Sequence, residues 1–307
     1  MGAIGKANKM STRSLGTVQE PFRTVLVPID FSEGSAAALD RALALPLDPG
    51  ATLELVHALP EVSAKVRAKV EAAARQALEQ EVVRARSLAS ELHVTSRLVR
   101  GQPYVEIIRR ARTIDAELVV VGRHGRRLVR DRFLGTTAAR VVRMGDTPVL
   151  VVRRVATKPY RELLVATELG DTSRRLAELA LRIAGDRATV NVVHAVHIPF
   201  EGFLTPTGTA RARVGRTLRN EAVGKLAALL FPYEAHARWK TVVRAGEARV
   251  IVMDEAIRRR ADVIVLGTHG RSGLAHALIG SVAEWVIANA PCDVLVARPI
   301  RFSFELP

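Results

Sequence analysis

Along residues 20–155, short runs of Val, Ile and Leu alternate with longer segments whose apolar positions recur every three or four residues. The runs at 24–29, 52–58, 95–100, 117–121 and 148–152 predict strands, and the segments at 33–45, 61–92, 103–113 and 136–144 predict helices. Runs such as ELVVV at 117–121 lack polar alternation, which suits strands buried on both faces of a parallel sheet. A helix between consecutive strands implies right-handed crossovers and a doubly wound sheet. Ser32 or Ser35 is placed to cap the helix after the first strand.

The same pattern then repeats. TVLVPIDFSEGSAAALDRAL at 24–43 returns as ELLVATELGDTSRRLAELAL at 162–181, and ATLELVHAL at 51–59 as ATVNVVHAV at 188–196. RLVRGQPYVEII at 97–108 matches TVVRAGEARVIV at 241–252, AELVVVGRHGR at 116–126 matches ADVIVLGTHGR at 261–271, and DTPVLVVRR at 146–154 matches PCDVLVARP at 291–299. The order is kept at an offset of about 140 residues, the mark of a duplicated domain rather than a short solenoid repeat. Asp171 is the expected helix cap of the second copy. The boundary falls in RRVATKPY at 153–160, which predicts a tail at 1–20, a first domain at 21–155 and a second at 159–302. Residues 199–213 read as a loop with no close counterpart in the first half.

Composition narrows the classes. A 307-residue chain that is 48% hydrophobic but only 4% aromatic suits Ala-, Val- and Leu-rich helices layered on parallel strands. The single cysteine, Cys292, excludes an intrachain disulfide framework and fits a reducing, cytoplasmic setting, with a small structural role for the thiol. No stretch reaches the roughly 18 apolar residues of a membrane-spanning helix, so no membrane partner is expected. The net charge of +15 is spread over both halves without a basic segment interleaved by aromatics, so nucleic acid is not expected as a partner.

One pattern points to a ligand. After the fourth strand of each half come Gly122-x2-Gly125-x9-Gly135-Thr136 and Gly267-x2-Gly270-x9-Gly280-Ser281, each followed by a helix-forming segment. Beyond the carboxyl ends of parallel strands, a helix N-terminus presents unpaired amides and a positive dipole end to an anion such as phosphate. Glycine lets backbone approach a ligand closely, although duplicated turns would recur even around empty sites. Neither G-x-x-x-x-G-K-[ST] nor a G-x-G-x-x-G following a first strand is present, which removes a P-loop and a dinucleotide dehydrogenase site.

Together with Pro28, Asp30 and Ser32 at the first strand end, the V-H-A segments and the RGQP and AGEA turns, these glycines resemble the universal stress protein family, in its tandem-domain form. The resemblance implies two tandem Rossmann-like domains, each a five-stranded parallel sheet flanked by helices, paired through their final strands as an intrachain pseudo-dimer. It also implies ATP with Mg2+ as ligand, a regulatory role in the stress response and an unidentified protein partner; a homodimer of such chains is a further expectation. The first-half ATP contacts it implies are Asp30, Ala58, Gly122, Gly125, Gly135, Thr136 and Thr137. The second-half set is Glu168, Ala195, Gly267, Gly270, Gly280, Ser281 and Val282. Glu168 stands where the family has Asp, and its extra methylene would intrude on a close-packed pocket, so the first half is expected to be the better site.

The arginines of the first glycine loop, Arg123, Arg126, Arg127, Arg130 and Arg132, would set one or two guanidinium groups near phosphate and leave the rest in solvent. His57 and His194 occupy equivalent strand ends and read as structural or pocket-wall residues. His194 and His197 fall on opposite strand faces, and His124 and His269 sit within the glycine loops, so no metal site is expected. Asp131 is the one acid between the first-half glycines, too little to predict more than slow ATP hydrolysis. The alternatives to a nucleotide-binding regulator are a scaffold protein of the same fold with occluded pockets and a slow ATPase.

Overall fold

A computed structural model describes residues 20–59, 61, 63–125, 135–153, 155, 158–197, 208–268 and 279–298. The expected N-terminal tail therefore lies outside the described residues, apart from Glu20. The first half runs β1 (Phe22–Pro28), α1 (Glu33–Leu43), β2 (Leu47–Leu59), α2 (Ala64–Leu88), β3 (His93–Arg100), α3 (Pro103–Thr113), β4 (Leu118–Gly122), α4 (Thr136–Met144) and β5 (Val149–Val152). The second runs β6 (Tyr160–Ala166), α5 (Ser173–Ile183), β7 (Ala184–Val196), α6 (Gly208–Leu230), β8 (Arg238–Ala245), α7 (Ala248–Arg258), β9 (Val263–Gly267), α8 (Ser281–Asn289) and β10 (Asp293–Ala297). A 3-10 turn at Phe231–His236, opened by Pro232, joins α6 to β8.

Within each half all strand pairs are parallel, and the strands lie in the order β3-β2-β1-β4-β5 and β8-β7-β6-β9-β10. The two sets join into one ten-stranded sheet because β5 and β10 pair antiparallel, with Val149, Leu150 and Val151 opposite Val296, Leu295 and Val294. Six aliphatic side chains at that seam are at most 3% exposed, and burying each contributes about 1.5–3 kcal/mol relative to exposure. The pairing also removes two apolar edges. The remaining edges, β3 and β8, carry Arg97 and Arg100, and Arg238, Lys240 and Arg244, charges that discourage further strand addition.

Helices α1, α2, α5 and α6 cover one face of the sheet and α3, α4, α7 and α8 the other. Each apolar layer draws residues from both halves, so neither half has a core of its own. Ser32 caps α1 through a reciprocal pair in which Ser35 N donates to Ser32 Oγ and Ser32 N donates to Ser35 Oγ, so the two candidate serines act together. Asp171 does not cap α5. That helix begins at Ser173, whose amide already donates to Gly170 O in a tight turn, and Asp171 is exposed. Residues 208–213, expected to be loop, form the first turns of α6, the counterpart of α2.

Matching polar clasps lock the halves from both sides. Arg153 donates to Ile287 O and Ala288 O at the end of α8, while Arg298 donates to Val142 O near the end of α4; these are equivalent positions in the repeat. Burial pushes the Arg298 guanidinium down to about 10, only partly opposed by the Asp146 carboxylate. Arg41 lies over the Tyr160 ring and donates to Lys158 O, and Arg182 lies over the Phe22 ring and donates to Glu20 O and Pro21 O.

One clasp is ionic. Arg41 Nε lies 3.2 Å from Asp293 Oδ2, close enough for an ion pair but not aligned as a hydrogen bond, and both side chains are at most 5% exposed. Asp293 also accepts from Tyr160 Oη at 2.6 Å and from the Arg153 amide at 2.8 Å. Burial and the neighbouring Asp293 charge raise the Tyr160 phenol well above its ordinary value, which keeps it a donor. Asp293→Ala should therefore cost about 3–5 kcal/mol in urea unfolding, because it leaves Arg41 buried without its counter-ion. Arg41→Leu with Asp293→Asn should recover most of that loss; equal losses in the single and double variants would contradict the assignment.

Acid should loosen a second junction. Burial works to raise the Glu117 carboxyl, but the Arg23 amide, the Arg182 guanidinium and the Thr24 amide hold it below its ordinary value. A depressed carboxylate stabilises the fold above its unfolded value of 4.5 and loses that contribution as pH falls through the folded value. Stability measured from pH 7 downward should stay flat with respect to this group until about pH 4.5 and then fall, and Glu117→Gln should shallow that fall. An unchanged acid limb in Glu117→Gln would show that the carboxylate is not its origin.

Candidate functional site

Strand order reverses between β1 and β4 and again between β6 and β9, which opens a crevice beyond the carboxyl end of each half-sheet. Both crevices start from the same turn. Phe31 and Leu169, one residue after Asp30 and Glu168, hold φ of 61° and 59°, a left-handed conformation that is costly for residues with a Cβ. A histidine from the adjacent strand braces each turn: His57 Nδ1 lies 2.6 Å from Ile29 O, and His194 Nδ1 lies 2.8 Å from Thr167 O. A carbonyl can only accept, so each Nδ1 carries the proton. Both histidines are thus wall residues with one nitrogen committed to backbone.

In the second half the crevice is a cavity of about 510 Å3. Glu168, Ala195, Gly267, Gly280, Ser281 and Val282 all line it, so six of the seven expected residues converge; Gly270 lies outside the described residues. Its floor is the ends of β6, β7 and β9, and one wall is the first turn of α8. Gly280 is the N-cap of α8 and offers no side-chain cap, leaving the helix's first amides to other acceptors. The Gly280 amide itself closes the turn onto Thr268 O, and a Cβ at Gly280 would press on that oxygen at 3.1 Å, so the backbone is tight at this position.

The other wall was not anticipated from sequence. Leu218, Glu221, Ala222 and Lys225 of α6 line the cavity, with Ala248 and Val252 of α7 and Thr172 at the start of α5. The α6 residues fall at i, i+3, i+4 and i+7, a single helical face legible in sequence once the helix is assigned. Among the described residues no group of three or more His, Cys, Asp or Glu is arranged to hold a metal ion.

The first half differs. Gly125 packs onto Asp30 so closely that a Cβ there would overlap Asp30 Oδ2, and Gly135 adjoins the same loop, its amide donating to Arg123 O. Asp30 is also drawn back toward its own turn, since Ser32 Oγ and Ser32 N donate to Oδ1 at 2.5 and 3.1 Å. Gly122 lies against the Gly34 backbone, Thr136 and Thr137 open α4, and Ala58 pairs with Val99 in the sheet. In the first half the 122–125 segment thus lies directly against Asp30 and the start of α1. Arg123 donates to Ala288 O at the carboxyl end of α8, where the helix dipole favours a cation. Arg126, Arg127, Arg130, Asp131, Arg132 and His269 lie outside the described residues.

These features define a tandem α/β protein with a switch-point cavity beside a glycine-capped helix. The universal stress protein family model matches residues 21–153 and again residues 159–298, and the chain belongs to that family. It is 28% identical over 231 residues to a universal stress protein of Mycobacterium tuberculosis, covering 68% of this chain and 70% of the relative. It is 32% identical over 146 residues to one from Methanocaldococcus jannaschii, covering 45% of this chain and 82% of that protein. A universal stress protein structure from Archaeoglobus fulgidus superposes with a TM-score of 0.64 at 18% identity, over 90% of this chain and 98% of the other. That likeness concerns the fold.

A long-range 1H–15N spectrum of the imidazoles should show a proton on Nδ1 of both His57 and His194. An Nε2-protonated tautomer at either residue would contradict the bracing contact.

Proposed function

We propose that the chain is an adenine-nucleotide-binding regulatory module of the stress response, and that the second-half cavity holds ATP. The carrying observation is the convergence of Glu168, Ala195, Gly267, Gly280, Ser281 and Val282 around about 510 Å3 at a strand-order switch point. That volume falls within the range of about 300–1,000 Å3 usual for small-molecule sites. The amides at the start of α8, which have no partner within the helix, suit phosphate oxygens together with the Ser281 hydroxyl, while Ala195, Val193 and Val252 give apolar surface for a base. Mg2+ would arrive bound to the phosphates, because the described residues supply no cluster of ligands for it. Its role there would be to neutralise phosphate charge. The family's name supports the stress role, and family membership supports the nucleotide.

Titration calorimetry with ATP·Mg2+ tests this reading. The parent chain should bind, and Gly280→Trp should weaken binding by at least about tenfold, a loss of about 1.4 kcal/mol, with its circular dichroism unchanged. Binding that survives Gly280→Trp and disappears in Gly135→Trp would move the site to the first half. No binding in the parent would favour the scaffold reading.

A further inference from the structure

We infer that the second-half cavity reads the ribose of its nucleotide from the α6 side: Glu221 accepts from the 2′,3′-hydroxyl pair and Lys225 donates to it, so the site selects ribonucleotides. This rests on the nucleotide reading above and adds to it a wall that the glycine pattern does not reach.

The cavity passes over the strand ends and touches both helical layers. The groups assigned to base and phosphate all lie on one of them. Val193, Ala195 and Val252 pack in the α7–α8 layer, and the phosphate amides belong to the first turn of α8. In a furanose the base leaves from C1′ and the phosphate chain from C4′ through C5′, so C2′ and C3′ form the opposite ring edge. A nucleotide held at both ends on the α7–α8 side therefore turns its diol toward the other layer.

That layer presents α6. Glu221 and Lys225 stand one turn apart on the helix face that lines the cavity. Both are exposed, and neither makes an ion pair or hydrogen bond to a described residue, although Glu four residues before Lys is the favourable order for pairing. An acceptor beside a donor matches a vicinal diol, whose hydroxyls each give one hydrogen and accept others. His194 lines the cavity from the same side, because Val193 packs in the α7–α8 layer and its strand neighbours point the other way. With Nδ1 committed to Thr167 O, its Nε2 is the nitrogen left for a ligand.

The fold does not require these charges. In α2 the buried Ala74, Leu78 and Val82 take the places that Ala222, Leu226 and Leu230 hold in α6. The residues just before Ala74 and Leu78 are Ala73 and Ala77, where α6 has Glu221 and Lys225. The duplicate helix packs on its sheet without them, so the pair answers to something other than the core.

Titration calorimetry of the full chain with ATP·Mg2+ and with 2′,3′-dideoxy-ATP·Mg2+ tests the assignment. The parent should favour ATP at least about tenfold, as hydrogen bonds to charged groups are the strong ones. Glu221→Ala combined with Lys225→Ala, the residues α2 carries at these places, should bring the two nucleotides within about twofold by weakening ATP alone. Circular dichroism and the thermal midpoint of that double variant should match the parent, since alanine is a good helix former. Equal affinities in the parent, or a preference that survives in the double variant, would overturn the inference and leave the nucleotide reading in place. A loss shared equally by both nucleotides would also overturn it, because it would put Lys225 at the phosphates. Binding of neither nucleotide by the parent would remove the nucleotide reading and this inference with it.

Discussion

The antiparallel pairing of β5 with β10 is the constraint on which the molecule depends. Each half ends in a strand of bare aliphatic residues with an unpaired row of amides and carbonyls, and each supplies the edge the other needs. Once those strands pair, both apolar layers run continuously across the seam. The arginine clasps follow the same two-fold logic, Arg153 and Arg298 each reaching helix carbonyls of the other half from the end of a seam strand. Asp293 breaks the symmetry, standing where the first half has Pro148, and it draws Arg41 and Tyr160 into a buried ionic contact.

A shared core constrains the halves equally, but the crevices beyond the strand ends are not part of it. That region could diverge without loss of the sheet. In the first half Ser32 draws in Asp30 and Gly34 packs against Gly122 and His124, and in the second Thr172 and Glu168 line a cavity. The left-handed residues Phe31 and Leu169 and the bracing histidines are common to both, so they serve the scaffold rather than one ligand.

Much of this was legible in the chain. The unbroken Val/Ile/Leu runs located the first-half strands, since burial on both sheet faces leaves few alternatives, the repeat carried them to the second half, and the family resemblance implied the seam. The glycine spacing located the α8 end of the cavity. Reasoning from single residues failed where tertiary approach decided the outcome. The longer side chain of Glu168 suggested an intrusion into a close-packed pocket, whereas that residue is exposed and lines the second-half cavity. Arg123 was read only as one of five loop arginines, one or two of which would lie near phosphate, but the helix end it serves belongs to the other half. The α6 wall was invisible until 208–213 was known to be helix.

The most direct measurement is a crystal structure of the full chain grown with ATP and Mg2+. The account predicts nucleotide in the second-half cavity, with its phosphates against the Gly280–Ser281 turn. A second-half cavity left empty under saturating nucleotide would contradict it.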